Sequence, residues 1–406
     1  MRVTGFSRAL ASMTVALCLS LSMPAMALGK DASPQMEGAQ AWFSINEDGQ
    51  VLSSYKADDR LPMASITKVM TAMVALDANI PMDEPCQVTK VDLGSEAQAA
   101  GFTKDQTLTF RQLMEVMLVY SANDAAVLIA RKVGGTEEQF VKMMNEKAKR
   151  MGLTNTHFAN PHGLEADGHY SSAKDLTFMG RYALTKYPFI ANTVDKSKVT
   201  IPVDGVDRTF FSTDELLGDF PGMKGIKTGS VAAGHSFLGA CHQKGETLYT
   251  CVLVCPTKPG RFEATKTLLK QGFALYRDQL EGKEGKAIGY KAYPFNFRLK
   301  VPVEIDSNSS ELVFQKGGSV LPIQRVMKSG VFAQPGENLG FLSLKQAPGT
   351  TGYVPQARHD DFSQWAFVQY KRYRYVGTLN FSAGDPVMAP ADFGPIETVL
   401  NDSLLG

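Results

Sequence analysis

Apolar residues in the first two thirds of the chain follow strand spacing near both ends and helix spacing between them. The apolar runs 41–44 and 50–55 flank Asp48-Gly49, a dipeptide typical of a tight turn, so they predict a β-hairpin. Beyond Ser65, apolar residues lie almost all round a helix, which indicates burial in a large core. Periodicity predicts further helices over 110–120, 125–133, 136–151, 173–184 and 264–276, and strands over 237–240 and 248–255. This order predicts an antiparallel sheet with a helical cluster, in which the first and last segments share one sheet.

The pattern changes after about residue 280. Four stretches then alternate between apolar and polar residues, with glycine and proline between them; they are 286–303, 312–331, 339–344 and 365–381. Such alternation predicts a second domain rich in β-strands. The predicted fold class is therefore α+β, with a main domain over 39–280, a smaller β-rich domain over 285–385 and a tail over 386–406.

The N-terminal segment has the features of a secretory signal peptide. Two arginines precede an apolar run, and residues 25–27 read Ala-Met-Ala, a small-residue cleavage site. The alternatives are an uncleaved membrane anchor, for which the apolar run is short, and a lipoprotein attached through Cys18, which follows a bulky leucine. The sequence thus predicts a signal peptide over 1–27, a linker over 28–38 and export to the periplasm or the outer face of the cytoplasmic membrane.

Net charge excludes one class of partner. The 406 residues include 42 lysines and arginines against 41 aspartates and glutamates, and the signal peptide holds two arginines and no acid, so the exported chain has a net charge of −1. A nucleic-acid-binding protein needs a basic excess that displaces counterions from phosphates. We therefore expect no nucleic-acid partner.

The cysteine pattern speaks against a metal site. The cysteines outside the signal peptide are Cys86, Cys241, Cys251 and Cys255. They form no Cys-x-x-Cys pair, so we expect no zinc, and nothing else in the sequence calls for a cofactor. If 248–255 is a strand, Cys251 and Cys255 lie about 13 Å apart and cannot form a disulfide with each other. Other pairings stay open.

A serine and a lysine three positions apart share one face of a helix, where the amine can take the proton of the hydroxyl. The amine acts as a base only when burial or a neighbouring cation lowers its pKa. This spacing occurs at 53–56, 65–68 and 171–174, but only Ser65 and Lys68 open a long buried helix. Burying a lysine side chain costs free energy because its charge loses contact with water, and this cost favours a catalytic role for the pair over a purely structural one.

Two further motifs follow in order. Ser-x-Asn occurs at 44–46 and 121–123, and only the second lies between two predicted helices, where a polar turn can face a cleft. Lys-[Ser/Thr]-Gly occurs at 227–229 and 328–330, and only the first stands just before the predicted strand pair. Each motif alone is weak evidence. The ordered set is the three-part signature of serine enzymes that are acylated by penicillin or by D-Ala-D-Ala peptides.

On these motifs the chain resembles the serine-type D-Ala-D-Ala carboxypeptidases of peptidase family S11, the low-molecular-mass penicillin-binding proteins. The resemblance covers about residues 39–276, through blocks at 62–68, 121–125, 162–164, 170–173, 225–229 and 260–262. It implies a β-lactamase-like or transpeptidase-like domain followed by a β-domain. It also implies removal of the terminal D-alanine from peptidoglycan stem peptides through an acyl-serine, with β-lactam antibiotics as inhibitors.

The resemblance implies a role for each residue that matches the three motifs. Ser65 would be the nucleophile, Lys68 its general base, and Ser121 a proton relay to the leaving D-alanine. Asn123 would bind the peptide carbonyl or amide of the substrate. Lys227 would keep its own proton, hold the substrate carboxylate and keep Lys68 partly neutral through the repulsion between two cations.

Four more residues complete the implied site. Thr228 and Gly229 would lie on a strand edge along which an extended peptide pairs. The backbone N–H groups of Ser65 and Ser230 would form the oxyanion hole. Arg261, which the sequence places before a helix starting at 264, would clamp the terminal carboxylate; the alternative is a surface arginine that caps that helix.

Two alternatives to a carboxypeptidase stay open. A class A β-lactamase needs a carboxylate that activates water for deacylation, and the acids of the relevant loop, Glu165 and Asp167, lie in a block unlike the lactamase one. A non-catalytic exported peptidoglycan-binding protein would keep the fold alone, whereas this sequence retains all the reacting groups.

The sequence departs from the family pattern at two places in the implied site. Ala122 stands where glycine is common, and Ser230-Val231 replace a frequent histidine or hydroxyl residue, which puts the substrate preference in doubt more than the activity.

Some members bind the membrane surface through a basic C-terminal helix. Residues 395–405 have helical apolar spacing but two acids and no lysine or arginine, which disfavours such binding.

Overall fold

The computed structural model describes residues 36–278, except 48, 95 and 96, and then the stretches 287–292, 300–305, 313–315, 320–327, 333–346 and 374–383 with residues 385 and 388. The predicted signal peptide, most of the linker and nearly all of the tail lie outside these residues, so these three assignments stay predictions.

A five-stranded antiparallel sheet forms the centre of the main domain. The strands of this domain are β1 (Ala41–Asn46), β2 (Val51–Tyr55), β3 (Pro85–Gln87), β4 (Thr107–Thr109), β5 (Lys198–Val203), β6 (Val206–Phe211), β7 (Met223–Val231), β8 (Gly234–Gln243) and β9 (Glu246–Cys255). The central sheet has the order β2-β1-β9-β8-β7, while β3 pairs with β4 and β5 with β6. Strand β1 lies between its hairpin partner β2 and the distant β9. The predicted hairpin and the predicted meeting of first and last segments are confirmed.

Helices cover both faces of this sheet and form a cluster beside it. They are a 3₁₀ turn (Ala64–Ile66), α1 (Thr67–Asp77), α2 (Phe110–Val119), α3 (Asn123–Gly134), α4 (Glu137–Arg150), α5 (Ala173–Lys186), α6 (Pro188–Val194) and α7 (Lys258–Phe273). Polar side chains cap the start of α2, α4, α5 and α7. In a capping box, Thr109 Oγ1 accepts from the Gln112 N–H at 3.2 Å and Gln112 Oε1 accepts from the Thr109 N–H at 2.7 Å. This box starts α2, which leads to the Ser-x-Asn motif.

Strands β8 and β9 are buried on both faces. Successive strand residues point to opposite sides, so Phe237 and Leu248 pack with Phe262 of α7, whereas Leu238 and Cys251 belong to the larger core formed with the helical cluster. Two-sided burial explains why both strands read as continuous apolar runs rather than as alternating ones.

Helix α5 approaches the sheet closely at a glycine. A Cβ atom on Gly180 would lie 3.0 Å from side-chain carbons of Ile226 and Leu238. The absent side chain lets the helix backbone pack against β7 and β8. Helix α5 therefore supports the strand that carries the Lys-Thr-Gly motif.

One sequence prediction needs correction, and the apolar pattern missed two elements. Residues 227–229 do precede the predicted strand pair, now β8 and β9, but they lie in a strand of their own, β7, which apolar alternation does not reveal. Helix α7 begins at Lys258, capped by Thr257 Oγ1 at 3.1 Å from the Gly260 N–H, so Arg261 lies inside the helix and not before it. The hairpin over 198–211 was not predicted, although its first strand alternates between exposed and buried residues.

Beyond α7 the described secondary-structure elements are strands. They are β10 (Tyr276–Asp278), β11 (Ala287–Ala292), β12 (Lys300–Ile305), β13 (Val313–Gln315), β14 (Val320–Met327), β15 (Asn338–Gln346) and β16 (Arg374–Ala383). Five of them form an antiparallel sheet in the order β11-β12-β16-β15-β14. This agrees with the predicted β-rich region, whose boundaries at 285 and 385 stay predictions. Among the described residues, no helix has the length and apolar character to cross a membrane.

The four cysteines of the described residues are buried free thiols. Cys251 and Cys255 both lie in β9, and the prediction that they do not bridge each other is confirmed.

Candidate active site

Ser65 and Lys68 come together where the chain enters helix α1. Ser65 lies in the 3₁₀ turn, and Lys68 lies in the first turn of the helix that follows. The Lys68 Nζ donates to Ser65 Oγ at 2.9 Å, and the lysine side chain is fully buried. The pair therefore has the geometry that proton transfer between a hydroxyl and an amine requires.

Two other oxygens accept hydrogen bonds from the same amine. Lys68 Nζ donates to Asn123 Oδ1 and to the backbone oxygen of His162, both at 2.6 Å. A protonated lysine amine has three N–H donors, and Ser65 Oγ, Asn123 Oδ1 and the His162 oxygen together accept all three. A neutral amine has two N–H groups and a lone pair. It can keep the bonds to Asn123 and His162 while the lone pair faces the hydroxyl of Ser65.

Burial and a second lysine make Lys68 a better base. Burial lowers the pKa of Lys68 well below its ordinary value, the nearby Lys227 lowers it further, and Asp124 opposes both effects. The repulsion between Lys68 and Lys227 that the sequence predicts acts in the expected direction. Burial lowers the pKa of His162 to about 3 and that of His169 to about 4, so neither imidazole adds a cation at neutral pH.

Lys227 lies on β7 and is also buried, at 2% exposed. Burial and then the positive charge of Arg261 lower the pKa of Lys227 to about 7, and Asp214 opposes the shift. A pKa of about 7 leaves Lys227 only partly protonated at neutral pH, which differs from the expectation that this lysine keeps its proton. A bound carboxylate would raise the pKa and restore the full charge.

The Ser-x-Asn motif lies at the junction of α2 and α3. Asn123 opens α3, so the turn is shorter than predicted, and Asn123 Oδ1 reaches Lys68. Within the described residues the Asn123 amide group donates to no protein acceptor, which leaves it for a ligand. Ser121 is buried with φ +69°, and its hydroxyl is not among the partners of Lys68 in the described part of the chain.

Strand β7 passes directly beside Ser65. A Cβ atom on Gly229 would lie 2.9 Å from the Met63 carbonyl oxygen and 3.4 Å from the Ser65 nitrogen. Glycine is thus required for the strand to lie so close to the turn. Strand β7 is at the edge of the described sheet, and Thr228 Oγ1 lies 2.6 Å from Thr213 Oγ1 on the loop beside it.

Arg261 supports β7 from helix α7. Its Nη1 donates to the Gly229 carbonyl oxygen at 3.2 Å and to Ser230 Oγ at 3.1 Å, and the residue is 5% exposed. The alternative of a surface arginine is wrong, because the side chain lies under the strand. The guanidinium Nε has no protein partner among the described residues.

The sequence motifs did not assign a function to three groups of the site. The His162 carbonyl is a backbone atom, which no motif of side chains reveals. Asp214 has one oxygen buried without a partner in the described residues, and burial raises its pKa to about 6 against the opposing pull of Arg261 and Lys227. Asp124 was visible as the residue after the Ser-x-Asn motif. In the described residues, no three His, Cys, Asp or Glu side chains converge on a metal position.

Comparisons with known proteins agree with this geometry. A model of the Peptidase_S11 family, described as D-alanyl-D-alanine carboxypeptidase, matches residues 29–257. D-alanyl-D-alanine carboxypeptidase DacF of Bacillus subtilis is 28% identical over 354 residues, which are 84% of this chain and 90% of the relative. DacB2 of Mycobacterium tuberculosis is 34% identical over 58% of this chain and 83% of its own length.

Solved structures are similar over the main domain. Penicillin-binding protein D2 from Listeria monocytogenes, in its cefotaxime-bound form, has a TM-score of 0.54 and 31% identity, and the match covers 58% of this chain and 97% of that one. The Streptomyces K15 DD-transpeptidase has a TM-score of 0.56 and 28% identity over 59% of this chain and 98% of its own.

The close packing of Gly163 against the turn that holds Ser65 can be tested by substitution. Gly163 has φ +95°, and a Cβ atom there would lie 2.0 Å from the Ala64 oxygen and 2.9 Å from the Ser65 nitrogen. We expect Gly163→Ala to displace the turn and slow covalent labelling of Ser65 by about 100-fold. The probe is labelled ampicillin, which a Listeria form of the solved neighbour contains. Gly168→Ala is the control: φ is +76°, but the nearest atom would lie 3.6 Å away. Equal labelling rates for the two variants would refute this view of the packing.

The lowered pKa of Lys227 predicts a pH dependence of stability. The folded state releases this proton near pH 7, whereas an unfolded lysine releases it near 10.5, so between these values the unfolded state holds more protons and this lysine makes stability rise with pH. Lys227→Met removes that contribution. In urea unfolding from pH 7 to 9.5, we expect wild type to gain stability relative to Lys227→Met.

The exposed Lys224 on the same strand provides the matched control. Lys224→Met removes a surface charge and should not reproduce the pH-dependent difference. A constant or shrinking difference between wild type and Lys227→Met over this range would contradict the assigned burial of the Lys227 charge.

Proposed function

The chain belongs to the Peptidase_S11 family of D-alanyl-D-alanine carboxypeptidases, and on that basis we propose that it removes the terminal D-alanine from peptidoglycan stem peptides through an acyl-Ser65 intermediate. One observation carries this proposal: the buried amine of Lys68, with its lowered pKa, lies 2.9 Å from Ser65 Oγ. A serine becomes a strong nucleophile when an adjacent base can take its proton.

In the acylation step, the neutral amine of Lys68 takes the proton of Ser65 as Oγ attacks the carbonyl carbon of the penultimate D-alanine. The bonds from Lys68 to Asn123 and to the His162 carbonyl hold the amine in place throughout. The negative charge that develops on the substrate oxygen is stabilised by the backbone N–H groups of Ser65 and Ser230.

Collapse of the tetrahedral intermediate breaks the C–N bond. The departing nitrogen takes a proton from Lys68, relayed by the hydroxyl of Ser121, and free D-alanine leaves. Water then attacks the ester carbonyl while Lys68 again takes a proton. Breaking the ester bond returns that proton to Ser65 Oγ and releases the shortened peptide, so the enzyme is restored.

Strand β7 and the cations behind it recognise the substrate. The peptide lies extended along the strand edge at Thr228 and Gly229, where backbone groups can pair with it. The amide of Asn123 donates to a substrate carbonyl. Lys227 and Arg261 attract the terminal carboxylate, whose charge in turn favours the protonated form of Lys227.

The same serine is the proposed target of β-lactam antibiotics. The Listeria neighbours were solved with cefotaxime and with ampicillin bound. A β-lactam presents a strained amide to Ser65, and opening of the ring leaves an acyl-enzyme. The proposal is for a long-lived adduct, because the nitrogen of the opened ring stays attached to the acyl group, whereas D-alanine departs and leaves room for water.

A class A β-lactamase is the second candidate, and the loop acids argue against it. Glu165 Oε1 accepts from the Ala233 N–H at 3.4 Å. In the described part of the chain, neither Glu165 nor Asp167 forms a hydrogen bond with Ser65 or Lys68. The described contacts thus give neither carboxylate a direct link to the reacting groups.

The site of action follows from the signal-peptide hypothesis. We propose that residues 1–27 direct export and that the enzyme works in the periplasm or on the outer face of the cytoplasmic membrane, where stem peptides occur. The tail over 386–406 lacks the basic residues that bind anionic lipid, so attachment through it is not part of the proposal.

The decisive experiment offers the purified mature chain a D-Ala-D-Ala peptide and, separately, a labelled penicillin. We expect release of D-alanine and a long-lived covalent label on Ser65 by mass spectrometry. Ser65→Ala should lose both signals and keep the fold. Ser53→Ala, at the serine of another Ser-x-x-Lys pair, is the matched control and should keep both.

The remaining outcomes separate the alternatives. Rapid turnover of penicillin would favour a β-lactamase. A folded protein that gives neither D-alanine nor a label would favour a binding protein. D-alanine release that survives in Ser65→Ala would show that Ser65 is not the nucleophile.

A further inference from the structure

The backbone of Ser121 is held in a conformation that serine disfavours. Its φ of +69° is left-handed, and the residue is 4% exposed. A residue without glycine's freedom stays in this region only where its surroundings over-determine it. The segment responsible lies outside the three sequence motifs.

Gln98 brackets Ser121 from both sides. Its side-chain Nε2 donates to the carbonyl oxygen of Tyr120, the residue before Ser121. Its backbone carbonyl accepts from the Asn123 N–H at 2.8 Å, two residues after Ser121. One residue thus holds the peptide group directly before Ser121 and the peptide group between Ala122 and Asn123. The side chain of Gln98 is exposed, so its substitution removes little from the core.

Asp124 also joins the segment that follows Gln98 to the start of α3, next to Ser121. Its carboxylate accepts the backbone N–H groups of Ala100 at 2.9 Å, Gly101 at 3.0 Å and Phe102 at 3.4 Å. Arg208 of the β5–β6 hairpin donates to the Ala100 carbonyl at 2.6 Å, which fixes the outer side of the segment. The segment that directly follows Gln98 is therefore anchored by Asp124 and Arg208.

We propose that Gln98 is a positioning residue for the reaction: its two hydrogen bonds hold Ser121 in the left-handed conformation that directs the hydroxyl toward the leaving group. This inference rests on the proposed function, in which Ser121 relays the proton. Gln98 acts through Ser121 and does not itself touch the substrate. Loss of its amide would let the backbone of Ser121 relax toward an ordinary conformation and move the hydroxyl.

The test is a double-mutant cycle on D-alanine release. Gln98→Ala should lower kcat about 10-fold to 100-fold with little change in KM, because misplacing a catalytic group slows the chemical step rather than binding. In a Ser121→Ala background the same substitution should have no further effect. Gln98→Glu keeps the size but replaces the donor with an acceptor that repels the Tyr120 carbonyl, so it should lose as much as Gln98→Ala.

Gln106→Ala is the matched control within the same loop. Gln106 hydrogen-bonds to Thr103 and Asp204 and, within the described residues, forms no hydrogen bond with the Ser121 turn, so this variant should keep the wild-type kcat. Wild-type kcat in Gln98→Ala, or an equal loss with and without Ser121, would overturn the inference while wild-type turnover still supports the proposed function. A wild-type protein that releases no D-alanine would instead overturn the proposed function, and the inference with it.

Discussion

The chemistry of the site depends on the burial of one amine. Lys68 is fully enclosed, and a charged amine in such a place must be surrounded by acceptors or give up its proton. Three oxygens surround the Lys68 nitrogen and accept hydrogen bonds from it. Burial and the repulsion from a second buried lysine lower the pKa of Lys68, so the amine also loses its proton more readily. The acceptors come from the 3₁₀ turn, from the start of α3 and from the loop at His162. The fold must therefore hold three distant segments at hydrogen-bond distance from one atom.

Close backbone packing keeps these segments together. At Gly229 the strand β7 lies against the turn of Ser65, and at Gly163 the loop that supplies the His162 carbonyl lies against the same turn. Strand β7 is also supported by α5 through Gly180 and by α7 through Arg261. The nucleophile, the base and the substrate-binding strand are thus parts of one packed unit, which limits their motion during the reaction.

The sequence predicted the side chains of the site better than their supports. Ser65, Lys68 and Lys227 could be found because the chemistry needs those residue types, and the order of the motifs separates them from chance matches. The His162 carbonyl and the Gln98 brace could not be found, because backbone atoms leave no side-chain signature and the contacts join segments that are distant in sequence. The helical cluster was predictable from periodicity, whereas the glycine-rich strand β7 was not. Arg261 was misplaced because Thr257 starts α7 earlier than the apolar pattern does.

The fold makes Lys68 a base, and a pH titration of the protein with ¹³C-labelled lysine ε-carbons, observed by NMR, can measure this. The Lys68 resonance is assigned by its loss in Lys68→Met. We expect this resonance to titrate at a pKa well below the ordinary lysine value of 10.5. A Lys68 resonance that titrates at or above the ordinary value would contradict this expectation, because the amine would then be a poor proton acceptor at neutral pH.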